Sequence, residues 1–387
     1  MDSWEIKSSQ TFDRDNLDLF KRWWIDIDRI SFLIIMGIMI FGLMMTASSS
    51  PAIADRIDVD KFFFLKKQFV FFVVSISLLI AISFLSKEKI QLFCLFGILA
   101  AIGLLILVLI FGSEAKGAKR WISLAGFTLQ PSEFAKAFFV VSNAYILQKL
   151  NKEKWYIKYS SSACLLFAIS VLLLLQPDFG MTLTFVILWL AQIFLYGLPI
   201  ILIAGLAFLG IVGGIGAYLV FPHVENRINR FLDADGKNYQ VERSLDAFVN
   251  GSFFGVGPGN GVVKKFIPDA HTDFIFAVIG EEYGIVACCF VIMTLFYLLT
   301  RLVKRALNEE NRFVYLALCG LIMQFTMQSI INISVSLKLM PTKGMTLPFI
   351  SYGGSSMIAT SICFGLILAF TKRKYHENVD YGNLKMM

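Results

Sequence analysis

The segment 268–284, PDAHTDFIFAVIGEEYG, sets three carboxylates in a stretch apolar enough to enter a bilayer: Asp273 near its start, Glu281 and Glu282 toward its end. A carboxylate within reach of a hydroxyl can take its proton as a general base. Read as one helix beginning near Thr272, the segment puts Asp273 in the first turn, where the helix dipole favours negative charge. That is equally the ordinary place for an N-terminal helix charge. At about 1.5 Å per residue the two glutamates lie about 12 Å further along, too far for a dyad with Asp273 on the same helix. Glu281 and Glu282 are therefore expected to be structural polar groups several turns into the membrane. Gly280 and Gly284, four apart, offer a close-packing face beside them.

A second group lies in 117–136, GAKRWISLAGFTLQPSEFAK. Pro131 suits the first turn of a helix, and Glu133 and Lys136 share a face three residues apart. The two can form a local ion pair that eases insertion. Alternatively, Lys136 faces a polar interior, because an ionisable group at that depth costs about 2.5–3.5 kcal/mol and needs a cavity or a partner. Arg120 and Trp121 stand just outside the span, where a cation could meet a phosphate and an indole could stack on a sugar. Lys343 lies in the connection MPTKGMTLPFISYGGSS (340–356), whose prolines and glycines suggest a rigid loop before a tightly packed helix. Gln324, Gln328 and Asn332 recur every fourth residue on the preceding span and can hydrogen-bond across helices. The glycines between Gly251 and Gly261 lack the Gly-Lys-Ser/Thr ending of a phosphate loop and are expected to supply turns.

These groups need an apolar scaffold, and composition supplies one. Of 387 residues, 57% are hydrophobic and 16% charged, against about a quarter charged in soluble chains. Apolar runs near the roughly 20 residues that cross a hydrocarbon core recur throughout. The expected fold is all-α, a polytopic membrane protein with ten spans near 30–48, 68–85, 90–112, 131–148, 161–177, 180–197, 198–221, 272–300, 312–336 and 351–371. Residues 1–29 read as a polar tail rather than a cleaved leader, 30–371 as one membrane domain and 372–387 as a second tail. An even number of spans puts both tails on one side. The short loops bearing Lys149, Lys152, Lys154 and Lys158, and Arg301, Lys304, Arg305 and Arg312, make that side cytoplasmic. The loop 222–271, between spans seven and eight, then faces outward and is long enough to be functional. The net charge of +7 reflects membrane-flanking lysines, and no nucleic-acid partner is expected. The three histidines are too scattered for a zinc site, and the six cysteines all fall inside spans as packing residues.

The segments RWISLAGFTLQPSEFAK, LLLQPDFG, PDAHTDFIFAVIGEEYG and MPTKGMTLPFISYGGSS, in this order, resemble the SEDS family, the FtsW/RodA group of peptidoglycan polymerases. AVIGEE and KKFIPDAHTDF bring the chain nearer the family's cell-division branch than its elongation branch, while Tyr283 and Ala287 depart from the usual pattern. The resemblance implies a glycosyltransferase that joins lipid II units into glycan strands during septal wall synthesis. Asp273 matches the family's essential loop aspartate, and Glu133, Lys136, Arg120, Trp121, His271 and Lys343 are the expected substrate contacts. The leaving pyrophosphate calls for cations or a divalent metal, Mg or Mn, held by residues that cannot be named; no organic cofactor is expected. The implied setting is the bacterial inner membrane, at the division septum, with a class B penicillin-binding protein and other divisome proteins as partners. Three alternatives stay open: a lipid II flippase, the elongation polymerase of the same family, and a scaffold that only recruits or activates a transpeptidase.

Overall fold

The computed structural model describes residues 18–115, 118–124, 127–220 and 239–372, with Glu225 and Asn229 between them. The outermost tails and the rest of the 221–238 part of the long loop lie outside the described residues. Helix α1 (Leu19–Asp26) precedes α2 (Arg29–Ala54), α3 (Phe63–Ser83) and α4 (Lys87–Phe111). Next come α5 (Pro131–Lys149), α6 (Trp155–Leu175), α7 (Phe179–Tyr196) and α8 (Ile200–Val220). After α9 (Tyr239–Gly251) and a short 3-10 turn (Val263–Phe266) follow α10 (Ile275–Leu307), α11 (Arg312–Ser336) and α12 (Gly354–Phe370). Setting aside α1 and α9, ten helices take the places of the ten expected spans.

Seven of them, α2, α3, α4, α6, α7, α10 and α11, are long and apolar enough to cross a membrane on those grounds alone. Helix α5 falls short because it carries Glu133 and Lys136, and α12 has only 17 residues. Those are also the most enclosed helices: α5 and α12 are buried along nearly their whole length, and α11 by 67%. Helix α5 packs on α4, α11 and α12, and α12 on α3, so polar groups on α5 and α11 are shielded from lipid by the outer helices. Local signals set the ends. Asn311 caps α11, accepting from the Phe313 and Val314 amides at 3.1 and 3.2 Å. Gly197, at φ +110°, ends α7, and Pro199 starts the turn into α8, as the Tyr-Gly-Leu-Pro spacing suggests.

Three features depart from the sequence reading. The connection 113–130 is not a bare loop: β1 (Ser113–Ala115), β2 (Ala118–Leu124) and β3 (Phe127–Leu129) form a small antiparallel sheet. The end of the first tail is helical and docked, with Trp23 stacked on Phe84 and its indole N–H donating to Ser83 Oγ at 2.7 Å. Most consequentially, α10 breaks at Gly284, whose φ of +76° suits glycine. Residues 275–283 form a short helix folded into the loop region, and only 285–307 run on as the span.

The end of the bundle bearing the chain termini is tied by charge. Asp28, at the start of α2, accepts from Arg301 Nε at 2.9 Å and from Arg305 Nε at 2.8 Å, while Arg305 also reaches the Thr371 carbonyl. Burial works against the Asp28 charge. Hydrogen bonds from Arg301 and Ser31, with Arg305 nearby, outweigh it and hold the carboxyl below its ordinary range. The chemistry gathers at the opposite end.

Candidate active site

Lys136 is enclosed at 1% exposure in the middle of the bundle. Its ammonium donates to Glu133 Oε2 at 3.0 Å and to Gln328 Oε1 on α11 at 2.9 Å. Both readings of Lys136 therefore hold together: a local ion pair within a turn of α5, completed by an amide from a facing helix. Gln328 Nε2 passes the connection on to Thr346 Oγ1 and Ser356 Oγ at 3.3 and 3.2 Å. One turn further along α11, Asn332 donates to the Met345 and Asp273 carbonyls at 2.7 and 2.9 Å. The four-residue spacing on α11 thus serves the site, with Gln328 beneath it and Asn332 against Asp273. Gln324, a turn deeper, has an Oε1 that accepts no hydrogen bond among the described residues.

The half-buried Asp273 is held by its backbone. The carbonyls of His271, Thr272 and Asp273 each accept a hydrogen bond, from Tyr352 N, Ser351 Oγ and Asn332 Nδ2 at 2.8, 2.6 and 2.9 Å. Asp269 tightens the turn from behind, its carbonyl receiving the Asp273 amide at 3.1 Å. The carboxylate lies beside Gly344: a Cβ built there would stand 3.6 Å from Asp273 Oδ2, and Gly344 sits at φ +71°. An alanine at 344 adds about 1–2 kcal/mol of left-handed strain and covers that oxygen. Gly344→Ala is thus expected to lower the stability of the fold by about that amount. Thermal unfolding of the purified variant in detergent measures this.

Lys343 turns the other way from the same loop. Its stem lies over Gly180 at the start of α7, and its ammonium donates to Thr184 Oγ1 at 2.7 Å. Burial, reinforced by Lys136, lowers its pKa to about 8, partly offset by Asp178 and Glu133. Asp178 caps α7 through the Met181 amide and faces Arg120 Nε at 3.4 Å, while Arg120 Nη2 donates to the Pro177 carbonyl at 2.6 Å. Three cations, Arg120, Lys136 and Lys343, thus gather with two carboxylates, Glu133 and Asp178. Sequence reasoning left Asp178 without a role, although its position after Gln-Pro and before an apolar run marks it as a cap. Trp121 follows Arg120 on β2, so strand alternation turns it to the other face.

His271, expected among the substrate contacts, is buried at 7% exposure. Its ring lies between Phe64 and Tyr352, with centroids 4.7 and 5.1 Å away, and Nδ1 finds no hydrogen-bond partner among the described residues. Burial lowers its pKa to about 4 from 6.5, opposed by Asp269. Between those values the unfolded chain binds a proton that the fold refuses, so stability falls as pH drops from about 6.5 to 4. If stacking is what His271 contributes, His271→Phe should keep the fold and abolish that acid dependence. His271→Ala should cost on the order of 2 kcal/mol. Thermal unfolding in detergent across this pH range checks both.

Glu281 and Glu282 sit in the loop region rather than deep in the span. Glu281 receives the Val262, Val263 and Lys264 amides at 2.7, 2.7 and 2.8 Å and Asn250 Nδ2 at 2.9 Å, capping the 3-10 turn. Glu282 is ion-paired with buried Lys264 and hydrogen-bonded by Ser48 of α2. Lys264 is itself 3% exposed. Gly255, Gly257 and Gly259 all have positive φ, as turn glycines should. The Val256 and Gly257 amides satisfy the Glu281 and Glu282 carbonyls, each at 3.0 Å, where α10 breaks.

With this geometry in place, comparison with known proteins is direct. The sequence profile of the FtsW/RodA/SpoVE family, described as cell cycle protein, matches residues 28–376. The chain belongs to this family. Over 380 residues it is 37% identical to the "Probable peptidoglycan glycosyltransferase FtsW" of Caulobacter vibrioides, covering 97% of each chain. With the Aeromonas salmonicida protein of the same name the identity is 34% over 352 residues, 88% of this chain and 89% of the other. Among solved structures, a chain from a peptidoglycan synthase complex that coordinates polymerization and crosslinking superposes with a TM-score of 0.75 at 28% identity. That match covers 90% of this chain and 98% of the other. The rod shape determining protein RodA of Thermus thermophilus gives 0.66 at 27% identity, covering 90% and 97%. As an FtsW/RodA/SpoVE member the protein is an integral membrane protein, and its helical bundle superposes on these solved structures.

Proposed function

We propose that this protein is a peptidoglycan glycosyltransferase that polymerises lipid II, acting in septal wall synthesis from the inner membrane with both termini cytoplasmic. The observation that carries the reading is the 343–344 loop. Gly344 lies against the Asp273 carboxylate, while its neighbour Lys343 reaches into the cluster of Arg120, Lys136, Glu133 and Asp178. A base and an anion-binding group are thereby set side by side on one short segment.

The chemistry follows from that placement. The acceptor's GlcNAc 4-hydroxyl gives its proton to Asp273 as its oxygen bonds to the donor's anomeric carbon. The bond from that carbon to the lipid pyrophosphate breaks, and the pyrophosphate leaves with the electron pair. An α-linked donor becomes a β-linked product, so one base suffices. Preorganised cations facing a leaving group whose charge is growing are the kind of electrostatic aid that lowers such a barrier. A divalent cation fits these residues poorly. Glu133 and Asp178 are each paired with a cation, and among the described residues no three His, Cys, Asp or Glu side chains converge. No step is therefore routed through a metal.

We also propose a class B penicillin-binding protein as partner, with other divisome proteins around it; the match to a chain from a synthase complex that coordinates polymerization and crosslinking supports a crosslinking partner. Purified protein in detergent, given lipid II and the cognate transpeptidase, should yield glycan polymer. Detergent offers no membrane to cross, so absence of polymer together with lipid II translocation in vesicles would favour transport instead. Depletion in cells should give filaments, whereas rounding would assign the elongation role.

A further inference from the structure

The turn after α9 carries two phenylalanines that nothing in the described chain covers. Phe253 is 66% exposed and Phe254 84%, between α9 and the glycine turns. Their height is fixed by backbone contacts. The Ile285 amide donates to the Ser252 carbonyl at 3.0 Å and the Val286 amide to the Phe253 carbonyl at 3.3 Å. A Cβ on Gly284 would collide with the Phe253 carbonyl, so the two backbones are pressed together there.

Ile285 and Val286 open the membrane-crossing part of α10. Along it Val286, Phe290, Met293 and Phe296 are exposed at helical spacing, a stripe that faces lipid. The first charged residue on this span is Arg301, paired with Asp28 at the other end. Counting back about 20 residues, the length of a hydrocarbon crossing, reaches Glu281. Positions 285 and 286 therefore lie on the membrane side of that boundary, and the Phe253–Phe254 turn lies with them. No charged residue occurs between Ala247 and Val263, while α9 turns Val241, Ser244 and Ala247 inward. The uncharged turn is continuous with the lipid-facing stripe.

We infer that the 252–254 turn is seated in the adjacent bilayer leaflet, with Phe253 and Phe254 as an interfacial anchor for the loop that Glu281, Glu282 and Lys264 lock in place. Aromatic rings are favoured at this depth, and their burial stabilises in proportion to the apolar area removed from water. The anchor holds whether or not the catalytic reading does. It also makes the loop between spans seven and eight partly a membrane element.

Phe254→Trp in the full-length protein tests it, reconstituted in phosphatidylcholine nanodiscs brominated either near the headgroup or near the acyl terminus. The emission added over the parent chain is expected to be blue-shifted and quenched about twofold more by the shallow bromines than by the deep ones. Aqueous iodide should quench it weakly. Strong iodide quenching with no effect of either bromolipid would overturn the anchor and place the turn in water. Shielding from iodide without bromolipid quenching would also overturn it, in favour of a protein occupant such as the partner or a second copy. Phe253→Trp gives an independent reading should the first variant fold poorly.

Discussion

Asp273→Asn is expected to lower lipid II polymerisation by about 10²–10⁴-fold, the range a positioned general base contributes, while leaving the folded protein intact. The second half of that expectation rests on how the residue is held. The three consecutive carbonyls of His271, Thr272 and Asp273, and the Asp273 amide, make the contacts that fix this turn. Asparagine keeps all of them and nearly the same shape, while removing the carboxylate's charge and basicity. Asp273→Glu keeps the basicity but lengthens the side chain by one methylene toward Gly344, and should recover part of the rate. The measurement is polymer formed from purified lipid II, beside the thermal unfolding midpoint of the same preparation. A loss below about fivefold, roughly 1 kcal/mol of barrier, in a protein of unchanged midpoint would end the assignment of Asp273 as base.

The helices were legible because a bilayer imposes one length on every span, so hydropathy alone brackets them. The break in α10 was not read, although a signal was present. The expected span 272–300 exceeds the roughly 20 residues a membrane requires, and it carries two adjacent glutamates, Glu281 and Glu282, about two and a half turns from its start. Two carboxylates at that depth would each need a partner, and the surplus length is what lets the chain fold them back into the loop. Gly284 looked like a packing residue; only the close approach of Phe253 shows that it is also the hinge. The sheet at 113–129 was missed because its strands are as short as three residues, too brief for alternation to stand out. The partners of Lys136 and Lys264 depend on which helices meet. No local pattern announces that Gln328 lies opposite Lys136, or Glu282 opposite Lys264. Asp273 itself was identified by type, position and family resemblance. Its tie to the cation cluster runs through Gly344, a residue without a side chain.

Lys136→Met is expected to destabilise the fold and abolish polymerisation, and the two losses can be separated. The Lys136 and Glu133 side chains are 1% and 8% exposed. Removing one member of a buried pair leaves the other charge uncompensated, a cost of about 3–5 kcal/mol, whereas replacing both with uncharged groups of similar volume is often close to neutral. The double variant Glu133→Gln/Lys136→Met should therefore regain most of the thermal stability lost in Lys136→Met. If the cation is needed where pyrophosphate departs, polymerisation should stay at the level of the single variant despite the restored fold. Glu133→Gln alone, which keeps Lys136 and its bond to Gln328, should retain more activity than the double variant. Recovery of polymerisation in step with stability would reduce Lys136 to a structural strut. The anion would then be left to Lys343 and Arg120, and the next substitution to make would be Lys343→Met.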